Sequence, residues 1–244
     1  MDRIWTISPQ LFPCLYPVAK TTIKPPLWVI KLNNLDYETT WKLQNMLQHA
    51  RLQGRIDNVL LILQHPPVIT LGRKAKEEDI LAEIEELEKR GIKVFITDRG
   101  GKVTYHGPGQ LIGYPILSLS DYNLSVGEYI RQLEEVILFT LKDLDIEAKR
   151  IPGQIGVWVG KKKIASLGIK VRGGVTSHGF ALNVNNDLTP FLLINPCGIK
   201  GLEVTSIRIL LKKEIELKEV EELIIKNFCQ VFPAEPKRTL NFGL

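Results

Sequence analysis

One cysteine in this sequence has neighbours that favour nucleophilic chemistry. Cys197 lies in the segment INPCG, residues 194–198, between a proline and a glycine. The proline restricts the chain ahead of the cysteine and discourages a helix, and the glycine permits backbone angles that would expose the thiol. A lone cysteine is more often a small buried hydrophobic residue, so packing and catalysis both stay open for this segment.

A lysine could supply the cation that such a thiol needs. The segment KKKIASLGIKV, residues 161–171, predicts a strand, and the period of two places Lys163 on the same face as apolar side chains. At a strand end a lysine can extend its ammonium to solvent, which spacing alone favours. Alternatively the ammonium points into a partly desolvated pocket and stabilises an anion there. Lys161 and Lys162 fall in the predicted turn, where we expect solvated charges.

A glycine-rich stretch could bring backbone close to a ligand. It reads DRGGKVTYHGPGQLIGY, residues 98–114. Glycine at this density allows close approach and lets N–H groups point at a bound molecule. The stretch lacks the GK[ST] of a Walker P-loop and the spacing of a Rossmann fingerprint. The alternative is a pair of turns between three strands, with His106 as a hydrogen-bonded structural histidine.

The overall composition is that of a soluble globular protein. The chain has 244 residues, of which 44% are hydrophobic and 24% charged, enough for one sizeable core. No apolar run reaches the roughly 18–20 residues of a membrane helix, so we expect no membrane association. Cys14, Cys197 and Cys229 lie far apart without metal-binding spacing, so we expect no disulfide, no metal and a reducing, cytoplasmic location.

The charge is mildly basic, which bears on the class of partner. The net charge is +5 and the isoelectric point about 9.0, values that suit nucleic acid or an acidic protein. The basic residues are scattered and are not interleaved with aromatic side chains, as a nucleic-acid groove requires. We therefore expect no nucleic-acid partner.

The hydrophobic pattern predicts an α+β fold with a mixed or antiparallel sheet flanked by helices. Predicted strands occur in consecutive groups rather than in strict alternation with helices. The predicted helices cover about 36–53, 76–90, 125–144 and 214–231, the third opened by a capping box of Ser125 and Glu128. The proline-rich residues 1–26 predict an irregular arm rather than a signal peptide. Residues 27–244 predict a single domain with a short C-terminal tail.

Several motifs, taken in order along the chain, resemble one enzyme family. They are QHPPVITLGR, RGGKVTYHGPGQLIGYPI, KKIASLGIKV, SHGFALNVNNDL and INPCG. Together they closely resemble the octanoyltransferases of lipoate biosynthesis, over roughly residues 27–235. The resemblance implies a catalytic domain with the fold that biotin protein ligases and lipoate protein ligases share.

The resemblance also implies roles for the residues singled out above. Cys197 would carry the acyl group as a thioester, and Lys163 would activate it. The implied acyl-pocket residues are Arg99, Gly100, Gly101, Lys102, Val103, Thr104, Tyr105, His106, Ser166, Leu167, Gly168, Gly179, Phe180 and Ala181. General chemistry agrees, because a free thiol of pKa about 8.5 is only a few per cent thiolate at pH 7 and gains from a nearby cation.

The implied reaction moves an octanoyl group from octanoyl-acyl carrier protein to a specific lysine. Lipoyl domains of lipoate-dependent complexes and the glycine-cleavage H protein are the implied acceptors, and the reaction would be the first step of lipoate synthesis. Because the thioester arrives activated, we expect no ATP, metal or other cofactor. Acyl carrier proteins and lipoyl domains are typically acidic, so the basic charge of the chain favours these protein partners.

Three alternatives remain for the sequence. An ATP-dependent lipoate or biotin ligase on the same fold would hold an adenylate with a lysine and would not need Cys197. An amidotransferase would move octanoyl between lipoyl-bearing proteins, and its donor would be the H protein rather than the carrier protein. A catalytically silent module would bind acidic domains and would be unaffected by replacing Cys197 with alanine.

Overall fold

The computed structural model describes residues 24–242. The strands are β1 (Pro26–Asn34), β2 (Asn58–Gln64), β3 (Val68–Leu71), β4 (Lys93–Ile96), β5 (Val103–His106), β6 (Gln110–Ile116), β7 (Lys149–Ile151), β8 (Gln154–Val159), β9 (Lys162–Arg172), β10 (Val175–Asn183) and β11 (Glu235–Phe242). The helices are α1 (Tyr37–Leu52), α2 (Ile84–Lys89), α3 (Val126–Lys142), α4 (Ile207–Leu211) and α5 (Leu217–Val231). The predicted arm lies outside the described residues as far as residue 23, and so does Cys14.

The described strands form two sheets. The larger has the order β11-β1-β2-β6-β10-β9-β8-β7, and the smaller has the order β4-β3-β5. In the larger sheet β1 is parallel to both β2 and β11, whereas the remaining pairs are antiparallel. In the smaller sheet β3 is parallel to β4 and antiparallel to β5. The predicted α+β class with a mixed sheet is confirmed.

Helices cover both faces of the larger sheet. Tyr129, Leu133 and Ile137 of α3 pack with Ile224 and Phe228 of α5 in the main core on one face. The other face packs against α1. The contact is a second apolar cluster, to which the even-numbered residues of β6 contribute. Parallel strands β1 and β2 need a crossover connection, which α1 provides. The layers are therefore helix, sheet and helix.

The start of α3 has the predicted capping box. The N–H of Glu128 donates to Ser125 Oγ at 3.3 Å, and the N–H of Ser125 donates to Glu128 Oε2 at 2.8 Å. Two N–H groups that have no partner within the helix are thereby satisfied. In the described part of the chain, no helix is both long and apolar enough to cross a bilayer.

The acidic segment 76–90, predicted as one helix, is divided in two. A 3-10 turn covers Glu77–Asp79 and α2 begins only at Ile84. Between them Ile80 forms an antiparallel bridge with Ile194, and the N–H of Leu81 donates to the Leu193 carbonyl at 2.8 Å. These tertiary hydrogen bonds outweigh the helical periodicity of the segment.

The C-terminal segment, predicted as a short tail, contains β11. It pairs in parallel with β1, and the N–H of Glu235 donates to the Pro25 carbonyl at 3.1 Å. The segment EPKRTLNF has no clear alternation of polar and apolar residues. Its pairing partner, which is distant in sequence, determines its structure.

Candidate active site

The side chains of Lys163 and Cys197 meet. Lys163 Nζ lies 3.1 Å from Cys197 Sγ and donates a second hydrogen bond to the Ile155 carbonyl at 2.8 Å. Its third neighbour is the Trp158 ring, whose centroid is 5.1 Å from Nζ. Lys163 is only 3% exposed, so the alternative that it extends into solvent is wrong. The adjacent Lys161 and Lys162 are exposed, as expected.

Backbone hydrogen bonds of β9 fix the position from which the Lys163 side chain extends. The N–H of Lys163 donates to the Glu203 carbonyl at 2.9 Å, and its carbonyl accepts from the N–H of Thr205 at 2.9 Å. On the other side Lys163 pairs with Trp158 of β8, next to an irregularity in the register. The backbone is therefore held from two sides, and the flexible side chain starts from a fixed point.

Cys197 lies in a strained turn. Its φ and ψ are 57° and 14°, the left-handed region, which non-glycine residues seldom adopt. The N–H of Gly198 donates to the Asn195 carbonyl at 2.7 Å, and the N–H of Asn195 donates to the Asp79 carbonyl at 2.8 Å. Strain of this kind persists only where the surroundings impose it, and it concentrates at functional sites. We call residues 194–198 the catalytic turn.

Both residues line a cavity of about 410 Å³. It lies between the two sheets, since residues of β5, β9 and β10 contribute to its wall. The predicted residues that line it are Arg99, Gly100, Gly101, Lys102, Val103, Thr104, His106, Ser166, Leu167, Gly168, Gly179, Phe180 and Ala181. Apolar surface dominates its lining, which suits an aliphatic chain.

Tyr105 is the predicted pocket residue that lies elsewhere. Its ring packs edge-on against Phe191, with centroids 5.6 Å apart, in the core of the smaller sheet. Successive side chains of a strand point to opposite faces. With Thr104 and His106 lining the cavity, Tyr105 points away from it.

Glycines allow the loop 98–102 to approach β9. The N–H of Gly100 donates to the Ile169 carbonyl at 2.8 Å. A Cβ on Gly168 would lie 2.9 Å from the Gly100 carbonyl oxygen. Arg99 anchors the same loop to β3, because its buried guanidinium donates to the Thr70 carbonyl at 2.6 Å and to Thr70 Oγ1. The glycine-rich stretch thus forms both turns and cavity wall.

Buried aromatic and imidazole groups complete the wall. Tyr37, Tyr114 and His178 line the cavity with His106, and the rings of Tyr37 and His106 stack with centroids 6.3 Å apart. Burial lowers the pKa of His106 to about 3. Burial likewise lowers the pKa of His65, which pairs with the Tyr114 hydroxyl at 2.9 Å, to about 4. These imidazoles are therefore neutral at neutral pH.

Asp98 forms an ion-pair cluster beside the cavity. It pairs with His178 Nε2 at 2.8 Å and with Lys170 Nζ at 2.5 Å. The hydrogen bond from His178, together with that from Lys170, holds the pKa of Asp98 well below its usual range. Within residues 24–242, no group of three or more His, Cys, Asp or Glu side chains is arranged to bind a metal ion.

Two residues at or beside the cavity have no role in the sequence motifs. Tyr37, which lines the cavity, falls in the predicted helix 36–53, and Asp98, whose partner His178 lines the cavity, opens the glycine-rich stretch. Neither position carries a signal of its own, because long-range packing brings it to the cavity. Gly156 lies inside β8, where a glycine indicates a bulge or the close approach of another group.

Known proteins match the chain in sequence over nearly its whole length. The family described as the lipoyl protein ligase A/B catalytic domain matches residues 36–229. The octanoyltransferase of Chloroflexus aggregans is 45% identical over 218 residues, which cover 88% of this chain and 99% of that protein. The octanoyltransferase of Solibacter usitatus is 49% identical over 205 residues, covering 84% and 92%.

The fold has a solved counterpart. A bipartite lipoate protein ligase from Thermoplasma acidophilum aligns with a TM-score of 0.67 at 17% identity, covering 90% of this chain and 88% of the other. Identity at that level shows the fold alone, and it confirms the predicted ligase fold. The sequence matches place this chain in the lipoyl protein ligase A/B catalytic-domain family, as an octanoyltransferase.

Proposed function

We propose that the enzyme carries the octanoyl group on Cys197 as a thioester, between an acyl carrier protein donor and a lysine acceptor. The observation that carries the proposal is the 3.1 Å separation of Lys163 Nζ and Cys197 Sγ at the wall of a largely apolar cavity. A thiol beside an ammonium is favoured in its thiolate form. The cavity has room for an aliphatic chain next to that nucleophile.

In the first half-reaction the thiolate of Cys197 attacks the carbonyl carbon of the donor thioester. A new carbon–sulfur bond forms, and the bond to the donor sulfur breaks. The departing thiolate takes a proton from the Lys163 ammonium, which leaves the lysine neutral. Splitting the transfer in this way means that each half needs only one nucleophile.

In the second half-reaction the neutral amine of the acceptor lysine attacks the Cys197 thioester. The amine proton passes to neutral Lys163, an amide bond forms, and Cys197 leaves as thiolate. The ion pair of the resting enzyme is restored, so Lys163 acts as acid in one half and as base in the other.

The proposed donor is octanoyl-acyl carrier protein, and the proposed acceptors are lipoyl domains and the glycine-cleavage H protein. Such partners are typically acidic, and the net charge of +5 would speed their encounter with this chain. No ATP enters, because the donor thioester is already activated. Sparse, unpaired cysteines support a cytoplasmic location.

The proposal is tested by intact mass after incubation with octanoyl-acyl carrier protein in the absence of ATP. We expect a gain of about 126 Da, an octanoyl group in place of hydrogen, that hydroxylamine removes. Peptide mapping should place it on Cys197, with Cys229 unmodified as the internal control. An adduct that survives in Cys197→Ser as a thioester, or that requires ATP, would contradict the proposal.

A further inference from the structure

A single peptide group connects Lys163 to a buried carboxylate on α3. The carbonyl of Ile155 accepts from Lys163 Nζ at 2.8 Å. The N–H of the same peptide, which belongs to Gly156, donates to Glu134 Oε1 at 2.8 Å. Glu134 is 5% exposed. Two consecutive hydrogen bonds through one peptide group therefore connect the Lys163 ammonium to the Glu134 carboxylate in the helix layer.

Gly156 is the residue that makes this arrangement possible. Its φ is +133°, and a Cβ there would lie 2.4 Å from Lys163 Cε and 2.7 Å from the Ala165 carbonyl oxygen. A side chain would therefore occupy the path of the lysine. Glycine also allows the peptide to turn its N–H towards α3 and its carbonyl towards Lys163.

The carboxylate of Glu134 is satisfied at both oxygens. Oε2 accepts from Arg150 Nε at 3.0 Å, which leaves Oε1 to the peptide. Arg150 is held in turn by the Arg131 carbonyl at 2.8 Å and by Glu135 at 2.5 Å. Glu134 is thus a positioned carboxylate, and its charge is shared between an arginine and one peptide N–H.

A carboxylate that accepts a peptide N–H polarises the peptide. It draws the N–H proton, increases the negative charge on the carbonyl oxygen, and so strengthens the hydrogen bond that the carbonyl accepts from an ammonium. This effect is large in a buried setting, where the dielectric response is low. It favours a charged Lys163 whose Nζ stays within reach of Cys197.

From these contacts we propose that Glu134 is a positioning residue for Lys163, acting through the Ile155–Gly156 peptide to hold the ammonium charged and directed at Cys197. The inference rests on the proposed function, in which Lys163 activates the cysteine. Glu134 contacts neither cysteine nor substrate. Its contribution should appear in the reactivity of Cys197 and should require Lys163.

The test uses Glu134→Gln in the full-length protein, with Glu222→Gln, at an exposed glutamate of α5, as the control. The amide at position 134 keeps an acceptor for the Gly156 N–H but loses the charge. The readout is the rate of iodoacetamide alkylation at Cys197 relative to Cys229 in the same molecule, at pH 7. We expect this ratio to fall about fivefold in Glu134→Gln, the difference between a charge-assisted and a neutral hydrogen bond, and to keep its wild-type value in Glu222→Gln.

A double variant shows whether the effect passes through Lys163. In the Lys163→Met background, the change Glu134→Gln should leave the alkylation ratio unaltered, because the ammonium is gone. Independent effects of the two substitutions would overturn the inference. A wild-type ratio in Lys163→Met alone would instead refute the proposed role of Lys163. A loss confined to Lys163→Met would refute only the role of Glu134.

A second variant keeps the inference testable if Glu134→Gln fails to fold. Arg150 is partly exposed at the surface and competes for the charge of Glu134. Replacing it, Arg150→Gln, frees the carboxylate to act on the peptide, so the alkylation ratio should stay at the wild-type value or rise. A fall in this variant would mean that local packing, and not the carboxylate charge, sets the reactivity of Cys197.

Discussion

At the scale of single residues, the proposed chemistry depends on Lys163, which is buried although its place at a strand end favours exposure to solvent. Lysine seldom lies buried, and spacing alone would send Lys163 to solvent. Here the backbone is fixed on both sides, by β8 and by the segment 203–205, and the ammonium replaces water with the Ile155 carbonyl and Cys197 Sγ. Two of the three ammonium N–H groups thereby have hydrogen-bond acceptors, which offsets part of the cost of burial.

Replacing Lys163 should separate the two half-reactions. In Lys163→Ala the thiol loses its neighbouring cation. An ordinary cysteine is only a few per cent thiolate at pH 7, so the rate of self-acylation should fall by about tenfold or more. In Lys163→Arg some charge remains, but guanidinium does not release a proton, so transfer to the acceptor lysine should fall more than self-acylation. Single-turnover rates for each half measure this. Equal losses in both halves for the arginine variant would argue against proton transfer by Lys163.

The strained backbone of Cys197 makes a separate prediction about stability. Glycine adopts the left-handed backbone conformation of Cys197 without steric cost, whereas alanine does not. The free energy of unfolding should therefore be higher for Cys197→Gly than for Cys197→Ala by roughly 1 kcal/mol, the penalty less the added chain entropy of glycine. Chemical denaturation of the two inactive variants measures the difference. Greater stability of the alanine variant would show that the turn imposes no strain in solution.

At the scale of elements, the site depends on contacts between segments that are distant in sequence. The residues from 78 to 82 leave their predicted helix and pair with the chain just before Cys197, through Ile80 and Leu81. The same segment fixes Asn195, which closes the catalytic turn. The segment where the helix prediction is wrong is therefore the segment that holds the turn of the proposed nucleophile, Cys197.

Close contact of β9 with the loop 98–102 predicts the effect of an added methyl group. In Gly168→Ala the Cβ would meet the Gly100 carbonyl oxygen, so the loop must move. We expect the free energy of unfolding to fall by about 1–3 kcal/mol and self-acylation to fall by about tenfold or more, because displaced wall residues no longer align the chain with Cys197. Both are measured at a temperature where the variant is folded.

The control for this variant is Gly127→Ala on α3, where an added Cβ meets no atom within 4 Å. That substitution should keep the wild-type rate of self-acylation and leave stability equal or slightly higher, since alanine favours a helix. Wild-type acylation in Gly168→Ala would show that the close approach has no part in aligning the acyl chain.

The sequence predicts much of this architecture for a definite physical reason. Local signals suffice where a residue acts on its own segment, as with the Ser125 capping box and the strand of Lys163. They fail where a distant partner decides, as with Ile80 and β11. The roles expected for Cys197 and Lys163 come from the resemblance of whole motifs to one family, whereas nothing in the local sequence distinguishes the Glu134 carboxylate from its neighbour Glu135.

At the scale of the whole molecule, buried neutral histidines link folding to pH. His65 and His106 have pKa values lowered by burial to about 4 and about 3, whereas in the unfolded chain a histidine titrates near 6.5. Below about pH 6.5 the unfolded chain therefore binds more protons than the folded one. Stability is fully present above that pH and is lost as the pH falls towards 4.

The measurement is the midpoint of thermal unfolding between pH 7.5 and 5. We expect it to fall through this range, with each buried histidine contributing up to a few kcal/mol, and to fall less steeply in His65→Gln. The exposed His49 provides the control, and His49→Gln should keep the wild-type slope. A slope unchanged by His65→Gln would mean that this imidazole takes up a proton as readily in the folded enzyme as in the unfolded chain. Asp98 does not enter, because its lowered pKa acts only at more acidic pH.

The parallel pairing of β1 with β11 sets an order of assembly during synthesis. Among the described strands β1 emerges from the ribosome first and can join β2 early, but its other side has no partner until Glu235–Phe242 follows. Lys163 and Cys197 are both made well before that point. A nascent or truncated chain that stops before Glu235 would carry an open β1 edge, whose backbone groups are free to pair with another chain. When Glu235–Phe242 pairs with β1, the open edge of the larger sheet passes from β1 to β11, whose Pro236 and Lys237 disfavour further strand pairing.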